Sequence, residues 1–434
     1  MLQRPTPGWL RVLFCASVVL VMQWPSRPTS HTDLLPTYFA ARMAVDKEWA
    51  DVYPLPTPEG GAAHGLTWTA KAASLGLSPA GVGPFTYHPY YLRAAALLAK
   101  EHSYDDFKKY MVRANRFAVV WTAFELACLL GVTSVSGQLL LTLLLFGCSP
   151  VLSALEFGQN TLPALAFCMA ALRLFSLGSG STSLLLGGLC AALAWACKPW
   201  CAILLPVCFL FRAPLTAGLV TVSVAGVMTL VPLALFPRVL IEHYSAFAAE
   251  LSRITVPGWH NLSLLMNLER VTDPAWLERF NYYGHVYPTD WTRYTSLGIS
   301  LFVLLVAAGA VLVRRPQSAW INATALALAL IPLGVVWTHY FAFALPLAIL
   351  ASAGDHDSRV LRLAGCVLLA ELVLLEYWLI FEFQRTSPWP VMVPIASVGL
   401  VSMLALWLGP RRAPSAVTEP EALHGAQNEE RLAV

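Results

Sequence analysis

The chain carries little charge. Only 12% of its 434 residues are Asp, Glu, Lys or Arg, whereas 57% are hydrophobic and the mean hydropathy is +0.61. Soluble globular domains carry about 25% charged residues, so the composition argues against a soluble protein. The formal net charge is +3 and no Lys or Arg tract occurs, which argues against nucleic acid as a partner. We therefore expect an all-α polytopic protein in contact with membrane lipid.

Cysteine is missing from the polar loops. Cys197 and Cys201 have a spacing that would suit a metal pair, but small apolar residues in a membrane helix are the favoured interpretation. We predict neither a metal nor a cofactor. A disulfide framework is not expected either, because every cysteine lies within an apolar run: Cys15, Cys128, Cys148, Cys168, Cys190, Cys197, Cys201, Cys208 and Cys366.

Long apolar runs are abundant. A hydrocarbon core of about 30 Å needs roughly 20 apolar residues per helix, and by that measure we expect about twelve transmembrane helices. The first would be an uncleaved anchor, because no small-residue cleavage site follows it. The expected spans are 8–24, 117–133, 137–155, 161–176, 183–197, 200–211, 215–236, 296–313, 319–337, 340–353, 361–381 and 390–408.

Basic residues predict the orientation, because Lys and Arg in short loops mark the cytoplasmic face. Lys198 and Arg385 alone fall in the opposite short loops. We expect a multi-pass protein of the cell (inner) membrane with both termini cytoplasmic. Residues 1–408 would form one domain with external loops at about 25–116 and 237–295, and 409–434 a disordered tail. The arginines on the cytoplasmic side are Arg173, Arg212, Arg314, Arg315, Arg359, Arg362, Arg411 and Arg412.

The first external loop begins with a carboxylate, Asp33. A helical pattern follows at once, which predicts a helix lying in the membrane interface. On this interpretation the charges of Asp46 and Asp51 lie on its solvated face. The apolar positions of the pattern are Leu35, Tyr38, Phe39, Met43, Trp49 and Val52.

Further polar groups map to the same outer side. They occur in FTYHPYY (85–91), SALEFGQN (153–160), ACKPW (196–200), GWHNLSLLMNLER (258–270) and WTHYFAFALP (337–346). Tyr, Trp and His are also ordinary interface anchors. Asn261-Leu262-Ser263 matches a glycosylation sequon, although so short a pattern recurs by chance. Convergence on one side favours a functional site over these structural interpretations.

The order and spacing of these motifs resemble family 87 of the C-superfold membrane glycosyltransferases, the polyprenol-phosphate-mannose-dependent mannosyltransferases. The resemblance covers roughly residues 30–345. It rests on the early Asp, Tyr-x-Pro, Gly-Gln-Asn, Lys-Pro, Asn-x-Ser-Leu followed by Arg, and the late His. The sequence departs from the family at HNLSL, where Gly-Asn-x-Ser-Leu is more usual, and in a long stretch at 55–85.

The resemblance implies the C-type fold and an inverting transferase. It would move a hexose, mannose by analogy, from a polyprenyl-phosphate sugar to a glycolipid or glycan acceptor on the extracytoplasmic face. Asp33 would be the general base. The growing charge on the leaving phosphate needs cations or hydrogen-bond donors, and Lys198, His339 and Arg270 are the candidates. Sugar or acceptor hydroxyls would be bound by Tyr87, Gln159, Asn160 and Asn261.

A transporter or flippase of lipid-linked sugars is the alternative. Glu125 and Glu371 fall near the middle of their spans, where a charge is costly and usually functional. Transporters, however, tend to gather polar groups at the midplane between two related halves. The chain shows no such repeat and its polar residues concentrate on the outer side, so the transferase is favoured.

Overall fold

The computed structural model describes residues 34–53, 66–78, 85–176, 181–203, 214–256, 261–273, 287–381 and 389–411. Within these ranges the chain is helical, and its β-structure is limited to isolated bridges. This agrees with the predicted all-α class. The predicted first span, Asp33 and nearly all of the predicted tail, along with Arg212, Arg385 and Arg412, lie outside the described residues.

Sixteen α-helices occur in the described part of the chain. Three 3₁₀ segments cover Trp49–Asp51, Pro199–Ile203 and Thr338–Ala344. The α-helices are α1 (Leu34–Val45), α2 (Leu66–Ser74), α3 (Pro89–Glu101), α4 (Tyr104–Leu130), α5 (Val135–Gly147), α6 (Ser149–Phe157), α7 (Thr161–Ser176), α8 (Ser181–Cys197), α9 (Pro214–Leu235), α10 (Arg238–Leu251), α11 (Leu264–Thr272), α12 (Asp290–Arg314), α13 (Ser318–Leu328), α14 (Leu345–Ala353), α15 (Arg359–Phe381) and α16 (Trp389–Leu408).

By length and apolar composition, α12 is the one helix among the described residues that could cross a membrane alone. The pair α5 and α6 would be a second if it acts as one span, although it bends by 64°. The count of twelve spans therefore stays a prediction. Large apolar side chains are exposed on α5, α8, α9 and α12, including Leu143, Leu185, Leu230 and Phe302. Exposed apolar surface of this kind suits contact with lipid.

Several predicted spans are interrupted. Within the predicted span 319–337 the α-helix ends at Leu328. The predicted span 340–353 begins within a 3₁₀ segment. Pro332 lies in the break, where its ring and missing amide hydrogen oppose a continuous helix. The irregular stretch survives because protein groups satisfy its backbone; the Val336 amide, for example, donates to Asn261 Oδ1 at 2.9 Å. Similarly, 137–155 bends before Ser149–Pro150 and 200–211 opens as a 3₁₀ turn.

Helix α1 is buried by other parts of the protein, whereas the sequence predicted a helix lying in the membrane interface. The helix forms at Leu34–Val45, but it is buried on nearly every side. Helices α2, α3 and α4 of the same loop cover it. The Phe39 and Trp68 rings meet at 5.9 Å, and Tyr38 donates to the His102 carbonyl at 3.1 Å. Helical spacing of apolar residues shows which faces are buried, but not whether lipid or protein buries them.

The helices define two ends of the molecule. Helices α4 and α7 run parallel, since Trp121 contacts Phe167 and Glu125 binds Arg173 further along both helices. Arg173 and Ser318 line the same cavity, which has a volume of about 90 Å³. An isolated β-bridge pairs Pro316 with Arg411. The C-terminal ends of α12 and α16 therefore lie in the same region. We call this the arginine end. Thr161, the first residue of α7, precedes Arg173 by twelve residues, which corresponds to about 18 Å of helix, and we call the region around the start of α7 the lysine end.

Candidate active site

Lys198 is the centre of the polar cluster at the lysine end. It follows α8 and precedes the 3₁₀ turn that Pro199 opens, and it is 4% exposed. Its Nζ donates to Gln159 Oε1 at 2.8 Å and to the Tyr340 hydroxyl at 3.4 Å. The same atom lies 5.1 Å from the Tyr87 ring centre and 4.7 Å from that of Tyr340. Two aromatic faces therefore stabilise the buried ammonium group by cation–π interaction.

The Gly-Gln-Asn turn positions Gln159 and Asn160 beside this lysine. Gly158 ends α6 with φ of 72°, a conformation that favours glycine. A side chain there would also collide with Leu34. Gln159 Oε1 accepts from both Lys198 and the Tyr87 hydroxyl, the latter at 3.2 Å. Asn160 Nδ2 donates to the Cys197 carbonyl at 2.5 Å, so the turn is fixed to the end of α8.

Two tyrosines of the FTYHPYY motif complete this side of the cluster. Tyr87 is held from behind, because the Tyr53 hydroxyl donates to its carbonyl at 2.8 Å. Its ring meets that of Tyr91 at 4.9 Å. Tyr91 forms a side-chain hydrogen bond with Asn160, and burial raises the pKa of its phenol well above the usual value. Tyr91 is therefore a neutral hydroxyl at the edge of the site.

His339 enters the cluster from the 3₁₀ segment. It is 4% exposed, and its ring lies 4.8 Å from that of the adjacent Tyr340. The preceding Thr338 hydroxyl bonds with Ser153 of α6 at 3.1 Å. These contacts bring His339 into the same region as Lys198 and Gln159. Segments far apart in sequence thus meet in one region of the structure.

Asn261 belongs to the same region, but its side chain is already occupied by protein groups. Its Nδ2 donates to Thr255 Oγ1 and to the Val256 carbonyl. Its Oδ1 accepts from the amides of Ser263 and Val336. Two amide hydrogens and two carbonyl lone pairs are the whole capacity of the group. Asn261 is also fully buried, so we assign it to holding the loop beside His339 rather than to glycosylation or sugar contact.

Arg270 is buried on α11, the helix that follows Asn261. Its Nη1 donates to Asn267 Oδ1 at 3.2 Å, and burial lowers its pKa to about 10. The neighbouring Glu269 accepts from the Thr289 amide at 2.6 Å and from the Thr292 hydroxyl. Glu269 thereby fixes α11 to the start of α12. Arg270 is thus held on a short helix that follows the Asn261 loop and packs against α12 and α16.

The two acids near the middle of their spans lie in different places. Glu125 at the arginine end accepts from Arg173 Nε at 2.5 Å and Nη2 at 3.2 Å. Trp121 Nε1 adds a third hydrogen bond at 3.0 Å. Glu371 instead accepts from Ser397 on α16 at 3.0 Å. Glu125 thus forms an ion pair between α4 and α7, and the two acids do not build one midplane site.

Sequence reasoning missed Tyr340, Trp200 and Tyr91. Trp200 packs on Tyr340 and Phe343, with ring centres 5.4 and 4.6 Å apart. Each of these aromatics lies within one of the polar motifs, FTYHPYY, ACKPW or WTHYFAFALP, so membership of a motif was the available signal. Within the described ranges, no three or more His, Cys, Asp or Glu side chains group closely enough to bind a metal ion.

The model of glycosyltransferase family 87 matches residues 85–338, which is more than half of the chain. The chain belongs to this family and is therefore a membrane glycosyltransferase, as the motif resemblance indicated. The matched range contains Tyr87, Gln159, Asn160, Lys198, Asn261 and Arg270, ends one residue before His339 and begins after Asp33. No curated protein matches the chain.

Proposed function

We propose that the enzyme is a multi-pass membrane protein that transfers mannose from a polyprenyl-phosphate donor to a glycolipid or glycan acceptor. The reaction would take place on the extracytoplasmic face, with the arginine end cytoplasmic. The single observation that carries the proposal is the position of Lys198. A buried cation held by two tyrosine rings, an amide oxygen and a phenol oxygen suits an anionic leaving group beside sugar hydroxyls.

Asp33 is the proposed general base. The acceptor hydroxyl oxygen attacks the anomeric carbon, its proton passes to the Asp33 carboxylate, and the carbon–oxygen bond to phosphate breaks. The electron pair leaves with the polyprenyl phosphate, and a single displacement inverts the anomeric centre. Leu34, the next residue in the chain, packs against Gly158 of the Gly-Gln-Asn turn. That contact supports the assignment, because it brings the residue that follows Asp33 in the chain to the turn that carries Gln159.

Lys198 is the proposed main partner of the leaving phosphate, with His339 and Arg270 as further donors. Preorganised donors of this kind stabilise the charge that develops in the transition state. Tyr87 and Gln159 orient Lys198 and border the sugar. Asn160 has a buried Oδ1 that accepts no hydrogen bond from any described group. A buried acceptor of this kind calls for a donor, and a sugar hydroxyl would supply one.

A donor comparison tests this function. Purified enzyme in nanodiscs is incubated with a membrane lipid extract and with polyprenyl-phosphate mannose, polyprenyl-phosphate glucose or a nucleotide-linked mannose. Release of polyprenyl phosphate together with a mannosylated product is the expected result, with the mannose donor preferred. Turnover of the nucleotide sugar alone would contradict the polyprenyl donor, and preference for glucose would contradict the sugar assignment.

A further inference from the structure

Three buried polar atoms near Lys198 have no hydrogen-bond partner in the part of the chain that the structure describes. They are Asn160 Oδ1, Thr161 Oγ1 and Trp200 Nε1. Asn160 is 1% exposed and Thr161 is fully buried, whereas the Trp200 ring is half-buried around its buried nitrogen. Buried polar atoms in folded proteins nearly always have a partner. These three atoms therefore point to a polar ligand.

Thr161 lies on the face of α7 that α8 covers. Its spacing from Phe175 is about four helical turns, so both side chains point in nearly the same direction. The Phe175 ring packs against Gly187 of α8. Because the neighbouring Asn160 bonds the Cys197 carbonyl at the end of α8, Thr161 faces that end, which leads into the polar cluster.

Trp200 belongs to the aromatic surroundings of Lys198. It lies two residues further along the chain, in the 3₁₀ turn Pro199–Ile203. Its ring centre is 5.4 Å from that of Tyr340, and Tyr340 contacts Lys198 through both its hydroxyl and its ring face. The indole N–H of Trp200 therefore lies in the same cluster as the Lys198 ammonium group.

The chemical types of the three atoms restrict the ligand. Trp200 Nε1 can only donate, Asn160 Oδ1 can only accept, and the Thr161 hydroxyl can do either. A metal cation could not accept from Trp200, and a fully ionised phosphate could not donate to Asn160. A group with several hydroxyls can do both. The three atoms therefore suit a sugar, whereas Lys198 suits the phosphate to which that sugar is bound.

We propose that Trp200 and Thr161 determine sugar specificity: together with Asn160, they hydrogen-bond hydroxyl groups of the sugar whose phosphate binds Lys198. This rests on the proposed function, because it takes the donor to be a polyprenyl-phosphate sugar. A site that hydrogen-bonds a hydroxyl rejects the analogue that lacks it, since the polar groups of the site then stay unpaired. The enzyme should therefore recognise individual hydroxyls of the donor sugar.

Deoxy donors test the contact of Trp200. Wild-type enzyme and Trp200→Phe, which keeps an aromatic ring against Tyr340 but loses the N–H, are assayed with polyprenyl-phosphate mannose and its monodeoxy analogues. Wild-type enzyme should prefer mannose over at least one analogue by about 10²-fold, and Trp200→Phe should reduce that preference by about tenfold. The ratio of two donors within one preparation does not depend on the folded fraction. An unchanged preference for every analogue would overturn the role of Trp200.

Thr161→Val tests the second residue. It removes a buried hydroxyl that no described group uses, so the midpoint of thermal unfolding should not fall, whereas mannose transfer should fall by about tenfold. Thr324→Val is the matched control and should change neither. Thr324 is 2% exposed and its Oγ1 likewise has no described partner, but its neighbours Ala323 and Leu326 line the cavity at the arginine end.

The outcomes separate this inference from the proposed function. Wild-type transfer by Thr161→Val would show that its hydroxyl binds water at most, and a lower midpoint would show that it has a structural role; either result would overturn the role of Thr161. Wild-type enzyme that transfers mannose but does not discriminate against any deoxy analogue would refute this inference alone. Wild-type enzyme that uses no polyprenyl-phosphate sugar would refute the proposed function.

Discussion

Two cations at opposite ends of the enzyme, the half-buried Arg173 and the buried Lys198, have different surroundings. Arg173 at the arginine end makes two hydrogen bonds to the Glu125 carboxylate and lies over the Phe124 ring at 5.8 Å. Lys198 at the lysine end has described contacts with an amide oxygen, a phenol oxygen and two ring faces. Both charges are stabilised, but the described contacts differ in kind: a carboxylate binds Arg173, whereas neutral oxygens and ring faces contact Lys198.

We interpret Arg173 as a structural cation and propose a functional role for Lys198. In an ion pair that is shielded from water, each charge compensates the other. Removing either partner leaves the remaining charge uncompensated, which destabilises the fold. The neutral oxygens and ring faces that contact Lys198 do not cancel its charge, so these contacts are compatible with binding of an incoming anion. Helix α7 joins the two environments, since it begins after Asn160 and carries Arg173 in its last turn. The enzyme thus has a stabilising ion pair between two helices at one end and a cluster of polar and aromatic side chains at the other.

The largest effect should come from Asp33. Asn is nearly isosteric but cannot accept a proton at neutral pH, so Asp33→Asn should reduce transfer by about 10²–10⁴-fold while donor binding persists. Initial rates with the polyprenyl-phosphate donor measure this. Asp46→Ala, on a charge paired with Lys71, is the control and should cost far less. Wild-type transfer by Asp33→Asn would mean that Asp33 only caps α1, a role that Asn fills equally well.

The next largest effect should come from the Glu125–Arg173 ion pair. Glu125→Leu should destabilise the protein by up to about 3 kcal/mol, less than the loss of a fully buried pair, because it leaves Arg173, whose side chain is 28% exposed, without its carboxylate. The double change Glu125→Leu with Arg173→Leu should recover most of that loss, since the uncompensated charge is removed. Thermal unfolding in nanodiscs measures both. Additive losses in the double variant would show that the pair is not the source of the stability.

The Asn261 loop should give a smaller effect. Asn261→Ala leaves the Ser263 and Val336 amides without their acceptor, which costs about 1–3 kcal/mol for each unsatisfied group. Stability should fall and the donor KM should rise, because the loop holds the segment that carries His339. Asn261→Asp keeps the acceptor oxygens, so we expect a milder loss. A donor KM that rises without any loss of stability would instead favour direct sugar contact.

The smallest effect should come from the ion pairs that Lys71 forms with Asp46 and Glu48. Lys71 contacts Asp46 at 2.5 Å and Glu48 at 2.9 Å. Burial alone would lower its pKa, but the hydrogen bonds to the two carboxylates raise it overall. This contribution is therefore present below the unfolded pKa and disappears as pH rises through the folded value. Lys71→Met should cost up to about 1 kcal/mol at neutral pH and leave transfer unchanged; a large loss of transfer would give Lys71 a role in the site.

The sequence predicted the polar groups of the site better than their surroundings. Motif order identified Tyr87, Gln159 and Lys198, and the structure brings them together. Periodicity could not show that Tyr340 covers Lys198, because the two residues are 142 positions apart. It also could not show that Glu125 and Arg173 pair across two helices. Such contacts depend on packing between distant segments, which no local pattern contains.

The fold shows the same limit. Apolar runs indicated helices, but Pro332 and the Ser149–Pro150 bend divide predicted spans into shorter pieces. Helix α1 has the spacing predicted for an interfacial helix and is nevertheless covered by protein. Asn261 matched a sequon and a candidate sugar contact, yet its amide holds the backbone of a buried break. In each case the partner of the residue, rather than the residue itself, decides its role.

The most direct test of the account compares Lys198→Met with Arg173→Met. We measure transfer per folded molecule and the midpoint of thermal unfolding for both variants. Lys198→Met should lose about 10²–10³-fold in transfer, the usual cost of removing one donor to a developing anion, with a small change in the midpoint. Arg173→Met should show the reverse, with a large fall in the midpoint and near-normal transfer by the molecules that remain folded. Near-normal transfer by Lys198→Met would contradict the placement of the active site at the lysine end.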